Sequence, residues 1–167
     1  MQIRRGFAAD FGDLRRVEFA SFETLREAGA VSGDAMASTD VELQHYLDHD
    51  FLLAACDSDG KVIGYCGGTV EENHLHIGEM DVHPTWQRKG IGRRLITTMI
   101  EDARTRGLKG ATLTTDRYAP FNARFYESLG FRIVQGDTLS PRLHKVLEAE
   151  AEKGLDPCRR VAMMLVF

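Results

Sequence analysis

Cysteine is scarce. Cys56, Cys66 and Cys158 are an odd set with no Cys-x-x-Cys spacing. That excludes a disulfide framework or thiolate zinc centre and suits a reducing compartment. Long apolar runs are also missing: nothing approaches the roughly 20 residues that span a bilayer. Met1-Gln2-Ile3-Arg4-Arg5 is not followed by an apolar leader core. Leu53-Ala54-Ala55-Cys56 has the look of a lipoprotein box, but it lies deep in the chain and reads as a buried strand. Positive charge is not in excess. The 21 Lys and Arg face 25 Asp and Glu, for a formal net charge of −4, which argues against a general nucleic-acid surface. No repeat, low-complexity tract or linker divides the 167 residues, of which 43% are hydrophobic. The expectation is one cytoplasmic domain over 1–167, with neither membrane nor nucleic acid as partner.

What is present reads as mixed α/β. Strands are predicted over Gln2–Arg5, Phe51–Cys56, Val62–Val70, Leu75–Val82, Ala111–Thr115, Phe131–Val134 and Arg159–Phe167, where apolar and β-branched residues fall between turn signals. Asp57-Ser58-Asp59-Gly60-Lys61 makes a hairpin turn. Helical spacing of apolar residues predicts Asp10–Ala28, Asp40–Leu47 (capped by Thr39 or Asp40), Gly90–Arg106 and Ser140–Lys153. The stretch from Ala28 to Thr39, rich in Ala, Gly and Ser, reads as a loop.

The most telling run is Val82-His83-Pro84-Thr85-Trp86-Gln87-Arg88-Lys89-Gly90-Ile91-Gly92-Arg93-Arg94. It passes from a strand through a glycine-bearing loop into a helix. Glycines at alternate positions let a ligand approach the backbone closely. The free N–H groups of a first helical turn, with the helix dipole, attract anions. Arg88, Lys89, Arg93 and Arg94 add positive charge. The physics points to a phosphate or pyrophosphate held largely by main chain. No Gly-x-x-x-x-Gly-Lys-Ser/Thr run exists, so this is not a P-loop. Leu95 stands where a dinucleotide fingerprint needs its third glycine.

What remains is Gln87-x-x-Gly90-x-Gly92 after a strand ending in Val82-His83-Pro84. Downstream stands Pro120-Phe121-Asn122-Ala123-Arg124-Phe125-Tyr126-Glu127-Ser128-Leu129-Gly130-Phe131. Together these resemble the pyrophosphate loop and the following helix of the GNAT superfamily of acyl-CoA-dependent N-acetyltransferases. The clear match runs from about Asp57 to Val134. The resemblance implies a mixed α/β (α+β) fold: a central, mostly antiparallel sheet, splayed near its middle and flanked by helices, with acyl-CoA in the splay.

It also implies roles. Acetyl-CoA would be the co-substrate, with its pyrophosphate on Gln87, Arg88, Lys89, Gly90, Ile91, Gly92 and Arg93. The pantetheine arm would meet the backbone of the Met80-Asp81-Val82 segment, chiefly the N–H groups of Met80 and Val82. Tyr126 matches the tyrosine commonly assigned as proton donor to the leaving thiolate. Glu79 is the candidate general base, directly or through water, with Asp81 in reserve. A carboxylate near pKa 4.3 and a lysine ammonium near 10.4 differ by roughly 8 kcal/mol, so direct transfer needs a raised carboxylate pKa or an amine that arrives neutral. Asn122 stands four residues before Tyr126, whereas many relatives place a CoA-contacting asparagine seven before, here Ala119. Asn122 either contacts CoA or caps the helix.

The expected reaction is direct acetyl transfer to a primary amine in a ternary complex, without a metal. The expected acceptor is a small-molecule amine. A protein N-terminus or lysine is the alternative, and a non-catalytic acyl-CoA sensor is the rival from another class. If the resemblance fails altogether, a nucleotide-binding domain comes next. Acceptor choice is expected to sit in segments 18–40 and 136–160. The first is acidic (Glu18, Glu23, Glu27, Asp34, Asp40), which suits either a cationic acceptor or a solvated surface. Gln135–Pro157 shapes the acceptor pocket or supports a dimer, leaving monomer and homodimer open. His74 and His76 read as edge-strand or substrate-side residues rather than metal ligands. Cys56 and Cys66 read as inert core thiols.

Overall fold

A computed structural model describes every residue, Met1–Phe167. The first half is a meander. Strand β1 (Gln2–Arg5) leads through a 3-10 turn into helix α1 (Phe11–Glu27). Helix α2 (Asp40–Asp48) starts at a capping box. Thr39 Oγ1 accepts from the Glu42 N–H at 3.2 Å, and Glu42 Oε2 accepts from the Thr39 N–H at 2.8 Å, so Thr39 is the cap. Strands β2 (Leu52–Cys56) and β3 (Val62–Glu71) flank the predicted Asp57–Lys61 turn. Asp57 Oδ1 braces that turn by accepting from the N–H groups of Asp59 and Lys61. Glu72 and Asn73 both have positive φ, 51° and 64°, the geometry of a two-residue hairpin turn. It turns the chain into β4 (His74–Val82).

The second half alternates helix and strand. It comprises α3 (Ile91–Thr105), β5 (Gly110–Asp116), α4 (Ala123–Glu127), β6 (Arg132–Val134), α5 (Pro141–Glu152) and β7 (Arg160–Val166). Of the Pro120–Phe131 stretch only five residues are helical. Asp116 Oδ1 accepts from the N–H groups of Tyr118 and Ala119 at 2.7 Å each, and this side-chain turn delays the helix start.

The seven strands form one sheet in the order β1-β2-β3-β4-β5-β7-β6. All neighbours are antiparallel except β4 and β5. That parallel pair runs in register only from His74↔Gly110 to Ile77↔Leu113. Beyond it β4 stays on β3 and β5 stays on β7, so the sheet opens between them.

The opening coincides with a bulge. Gly67 pairs with Glu79 and Gly68 with Ile77, leaving Gly78 as the extra residue. The Tyr46 ring lies over both Gly67 and Gly78. A Cβ at either would stand 2.2 Å or 2.4 Å from its atoms, so both positions require glycine. An extra residue also shifts side-chain alternation. Leu75 and Ile77 face α3, and past Gly78 it is Met80 and Val82 that do so. Glu79 and Asp81 therefore face α1.

Two apolar layers hold the sheet. Leu75, Ile77, Leu113, Leu95, Ile96 and Met99 pack between β4, β5 and α3. Leu14, Val17, Leu43, Leu52 and Tyr65 pack on the opposite face under α1 and α2. Leu95, Ile96 and Met99 have no exposed surface, so truncating any one to alanine should cost about 2–5 kcal/mol. β4 lies inside the sheet, which corrects the edge-strand reading of His74 and His76. His76 Nδ1 meets Thr112 Oγ1 at 3.0 Å, and burial, reinforced by Arg142, pushes its pKa down to about 4. No helix is long and apolar enough to cross a membrane.

Candidate active site

The loop into α3 has the form its glycines require. Arg88 and Gly90 both have positive φ, 60° and 79°. Alternating left-handed residues turn successive N–H groups to one side. The main-chain N–H groups from Arg88 to Arg93 donate to no carbonyl or side chain of the protein; the first helix bond of this segment is Arg94 N–H to Gly90 O, at 3.1 Å. No heavy atom lies within 4 Å of where a Gly90 Cβ would stand, whereas a Gly92 Cβ would meet Met80 Sδ at 3.4 Å. Gly90 thus borders open space, and Gly92 packs toward the strand.

The side chains of this loop divide. Arg88 and Arg93 line the cleft, and Arg93 also donates to Ser128 Oγ on the far rim at 2.7 Å. Gln87 Nε2 turns back to Val82 O at 2.9 Å and ties the loop to the strand. Lys89 leans away, with Nζ on Thr85 O at 3.0 Å and 4.6 Å from the Trp86 ring centre. The structure therefore does not bring the Lys89 side chain to the cleft, although its N–H stays in the loop.

The cleft measures about 770 Å³ and runs from this loop through the sheet opening to α1. Its inner wall is the second half of β4. His83 N–H donates to Ile63 O of β3 at 2.9 Å. Alternation then turns the N–H groups of Met80 and Val82 toward the opening, away from β3.

On the α1 side lies a group of acids. Glu79 lines the cleft, half-buried. Asp81 and Glu18 are buried. Ser21 Oγ donates to Asp81 Oδ1, the Tyr65 hydroxyl to Glu18 Oε1, and the Ser38 N–H to Glu18 Oε2. Burial, then the charges of Asp81 and Glu18, hold the Glu79 carboxyl well above the usual carboxylate range. Asp81 is also raised by burial, against the Ser21 hydrogen bond. Glu18 is pushed up to about 7 by burial, opposed by its bonds from Ser38. Neighbouring carboxyls in a shielded site resist joint ionisation.

Tyr126 of α4 closes the other side. Its ring packs edge-on against Phe125 and Phe131. Its hydroxyl lines the cleft without being sealed from solvent. Burial, with Cys66, Glu79 and Asp81 nearby, raises its pKa, so the phenol stays protonated. Asn122 also lines the cleft; it stands at the N-cap of α4, accepting from the Tyr126 N–H at 3.1 Å through its carbonyl, while its side chain makes no cap bond. Across the opening, Arg160 of β7 pairs with Glu150 of α5 through two 3.0 Å bonds.

The structure thus gathers Glu79, Met80, Asp81, Val82, Gln87, Arg88, Gly90, Ile91, Gly92, Arg93, Asn122 and Tyr126 around one cleft. Sequence reasoning missed Ser21, Tyr65, Glu150 and Arg160 as site neighbours. No motif marks them; only tertiary packing brings them there. The acidic 18–40 segment also reads differently in three dimensions. Glu23 pairs with Arg26 and Asp40 with Arg15, so of those acids only Glu18 reaches the cleft. No cluster of three His, Cys, Asp or Glu side chains has metal-holding geometry.

Comparison with known proteins places this geometry. Residues 17–131, more than half of the chain, match the Acetyltransferase (GNAT) family. The chain is 26% identical over 109 residues to a probable N-acetyltransferase camello of Xenopus tropicalis, covering 64% of this chain and 50% of that protein. It is 28% identical over 132 residues to a mycothiol acetyltransferase of Propionibacterium freudenreichii subsp. shermanii, covering 77% and 42% respectively. It therefore spans half the length, or less, of these curated relatives. The crystal structure of PaiA N-acetyltransferase from Thermoplasma acidophilum in complex with coenzyme A shares the fold, with a TM-score of 0.77 at 18% identity, over 99% of this chain and 98% of that one. The chain is a member of the GNAT acetyltransferase family.

Proposed function

We propose that the protein is an acetyl-CoA-dependent N-acetyltransferase acting on a small-molecule primary amine by direct attack in a ternary complex. The observation that carries this reading is the juxtaposition in one cleft of unpaired N–H groups at the α3 entry, the open edge of β4 and the Glu79–Tyr126 pair. The N–H groups from Arg88 to Arg93, with the Arg88 and Arg93 guanidiniums, suit a pyrophosphate. The Met80 and Val82 N–H groups suit a pantetheine amide and the acyl oxygen. Asn122 adds a polar contact on the facing wall. Acetyl-CoA, when bound, supplies the activated acyl group.

The side chains supply proton handling. Glu79 takes the proton that an ammonium must lose before it can attack, directly or through water. Its raised pKa narrows the roughly 8 kcal/mol mismatch between carboxylate and ammonium. Asp81, held by Ser21, keeps a second carboxyl beside it and helps to raise it. Tyr126 holds its proton at Oη, facing the opening where the thiolate departs. Cys66 is fully buried and its thiol pKa is pushed up by burial, which does not suit a covalent acyl carrier. A cleft of this size matches a metabolite-scale site.

The test is calorimetric titration with acetyl-CoA, followed by thiol release over an amine panel. Saturable binding with amine-dependent thiol release is the expected result. Failure of folded protein to bind acetyl-CoA would overturn the reading. Binding without release over any amine would instead identify an acyl-CoA sensor.

A further inference from the structure

The two faces of β4 separate two tasks. The α3 face leads to the N–H groups at the loop, whereas the α1 face carries Glu79 and Asp81. An amine that reaches Glu79 without crossing the pyrophosphate end enters between α1, the 28–39 segment and the end of α5. The entrance carries an apolar patch: Phe22, Leu25, Val31 and Met36 on one side, and Leu155 on the other. Met36 is 77% exposed, unusual for a large apolar side chain unless a ligand or partner covers it. Phe22, Leu25, Val31 and Leu155 are each half-buried.

Acids without a cationic partner are confined to the floor. Glu18, Glu79 and Asp81 lie there, while Glu23 and Asp40 are turned to Arg26 and Arg15 outside it. Arg26, paired with Glu23, also stacks over the Phe22 ring at 5.0 Å, so that wall offers a second ammonium no unpaired carboxylate. On the facing wall Arg160 is already matched by Glu150 through two bonds, which leaves little call for an acceptor carboxylate.

We infer that the acceptor is a monoamine with an apolar body, an aralkyl or long alkyl primary amine. Its ammonium would stand over the Glu79–Asp81–Glu18 floor and its hydrocarbon part would lie along Phe22, Leu25, Val31 and Met36. This inference rests on the acetyltransferase reading above and narrows it to a substrate class.

The experiment measures kcat/KM at saturating acetyl-CoA for phenethylamine, hexylamine, propylamine, spermidine, glycine amide and a lysine-containing peptide. The same amines are run with Met36→Ser and Phe22→Ser, and acetyl-CoA binding is titrated for each protein. Phenethylamine or hexylamine should exceed spermidine and the peptide by about tenfold or more. Each substitution should raise KM for those two several-fold while leaving propylamine and acetyl-CoA binding within twofold, because only the long amines reach that wall. Met36 is at the surface, so its variant tests the wall without risk to folding. Preference for spermidine, glycine amide or the peptide would overturn the inference. So would an equal loss on all amines, or no turnover of any long amine by protein that binds acetyl-CoA. Loss of acetyl-CoA binding by the wild type would instead overturn the acetyltransferase reading itself.

Discussion

The two ends of the cleft are built in opposite ways. At the α3 entry the groups that face the cleft are mostly main-chain N–H groups, set by φ angles at Arg88 and Gly90 and open to solvent. At the α1 end they are side chains, three carboxyls from two elements far apart in sequence, shielded and held by Ser21, Tyr65 and Ser38. A backbone site tolerates nearly any side chain except one that fills it. A carboxyl cluster depends on each neighbour, because every partner changes the cost of its charge. Variants at the first end should therefore act on cofactor binding alone, and variants at the second on rate and on pH dependence.

The sharpest way to break this division is Gly90→Glu. It puts a carboxylate beside the unpaired N–H groups and should weaken acetyl-CoA binding by about 100-fold or more, since one added like charge opposes the whole anion site. Gly90→Ala carries only the strain of a Cβ at φ 79°, about 1 kcal/mol, and should bind within roughly tenfold of wild type. Calorimetry on both separates charge from strain. Equal losses would mean that conformation, not charge, governs this end.

At the other end Glu79→Gln should lower kcat by roughly 10³-fold with the acetyl-CoA dissociation constant nearly unchanged. The pH profile adds a second reading. A base with a raised pKa gives a rate that climbs with pH through a limb above the usual carboxylate range, and the variant should lose that limb. A limb that persists would pass the role to Asp81 or to water. Tyr126→Phe keeps the packing on Phe125 and Phe131 and should cost about 10²-fold in kcat. An unchanged rate would remove the phenol from the chemistry.

A further effect concerns stability rather than rate. The folded-state pKa of Glu18 is about 7, against 4.5 for a free carboxyl. The folded state thus binds that proton more tightly. The resulting stabilisation is full below pH 4.5 and is lost as pH rises through 7, a change of about 3 kcal/mol. Glu18→Gln, whose amide can still meet Ser38 N–H and the Tyr65 hydroxyl, should flatten the fall in Tm between pH 5 and 8. Parallel Tm curves for the two proteins would show that Glu18 ionises without cost.

The same contrast explains what the sequence reveals. Gly90 and Gly92 announce the anion end because a backbone conformation needs glycine at fixed spacing. Leu95, Ile96 and Met99 announce the helix behind it through their period. The acid end is only half legible. Alternation puts Glu79 and Asp81 on a common face, yet counting on from Leu75 and Ile77 would send both beneath α3. The bulge at Gly78 decides otherwise, and nothing local to Gly78 reveals it: it follows from Tyr46, distant in sequence, lying across the strand. Ser21, Tyr65 and Arg160 were illegible for a related reason, since their meeting with Glu18 and Glu79 is a property of the packed sheet. The helix expected within Pro120–Phe131 proves short, Ala123–Glu127, because the chain ahead of it is held in a turn by Asp116, which accepts from the Tyr118 and Ala119 N–H groups.

That bulge has a consequence for how the strand can change. β4 is read in two frames, one before Gly78 and one after. Substitution at any position alters one address, but drawing Gly78 into the ladder, so that no residue was left over, would re-address all those that follow. Glu79 and Asp81 would then turn into the oily layer beneath α3, and Met80 and Val82 would turn out into the cleft. The polarity of the whole inner wall hangs on a residue that contributes no side chain to it.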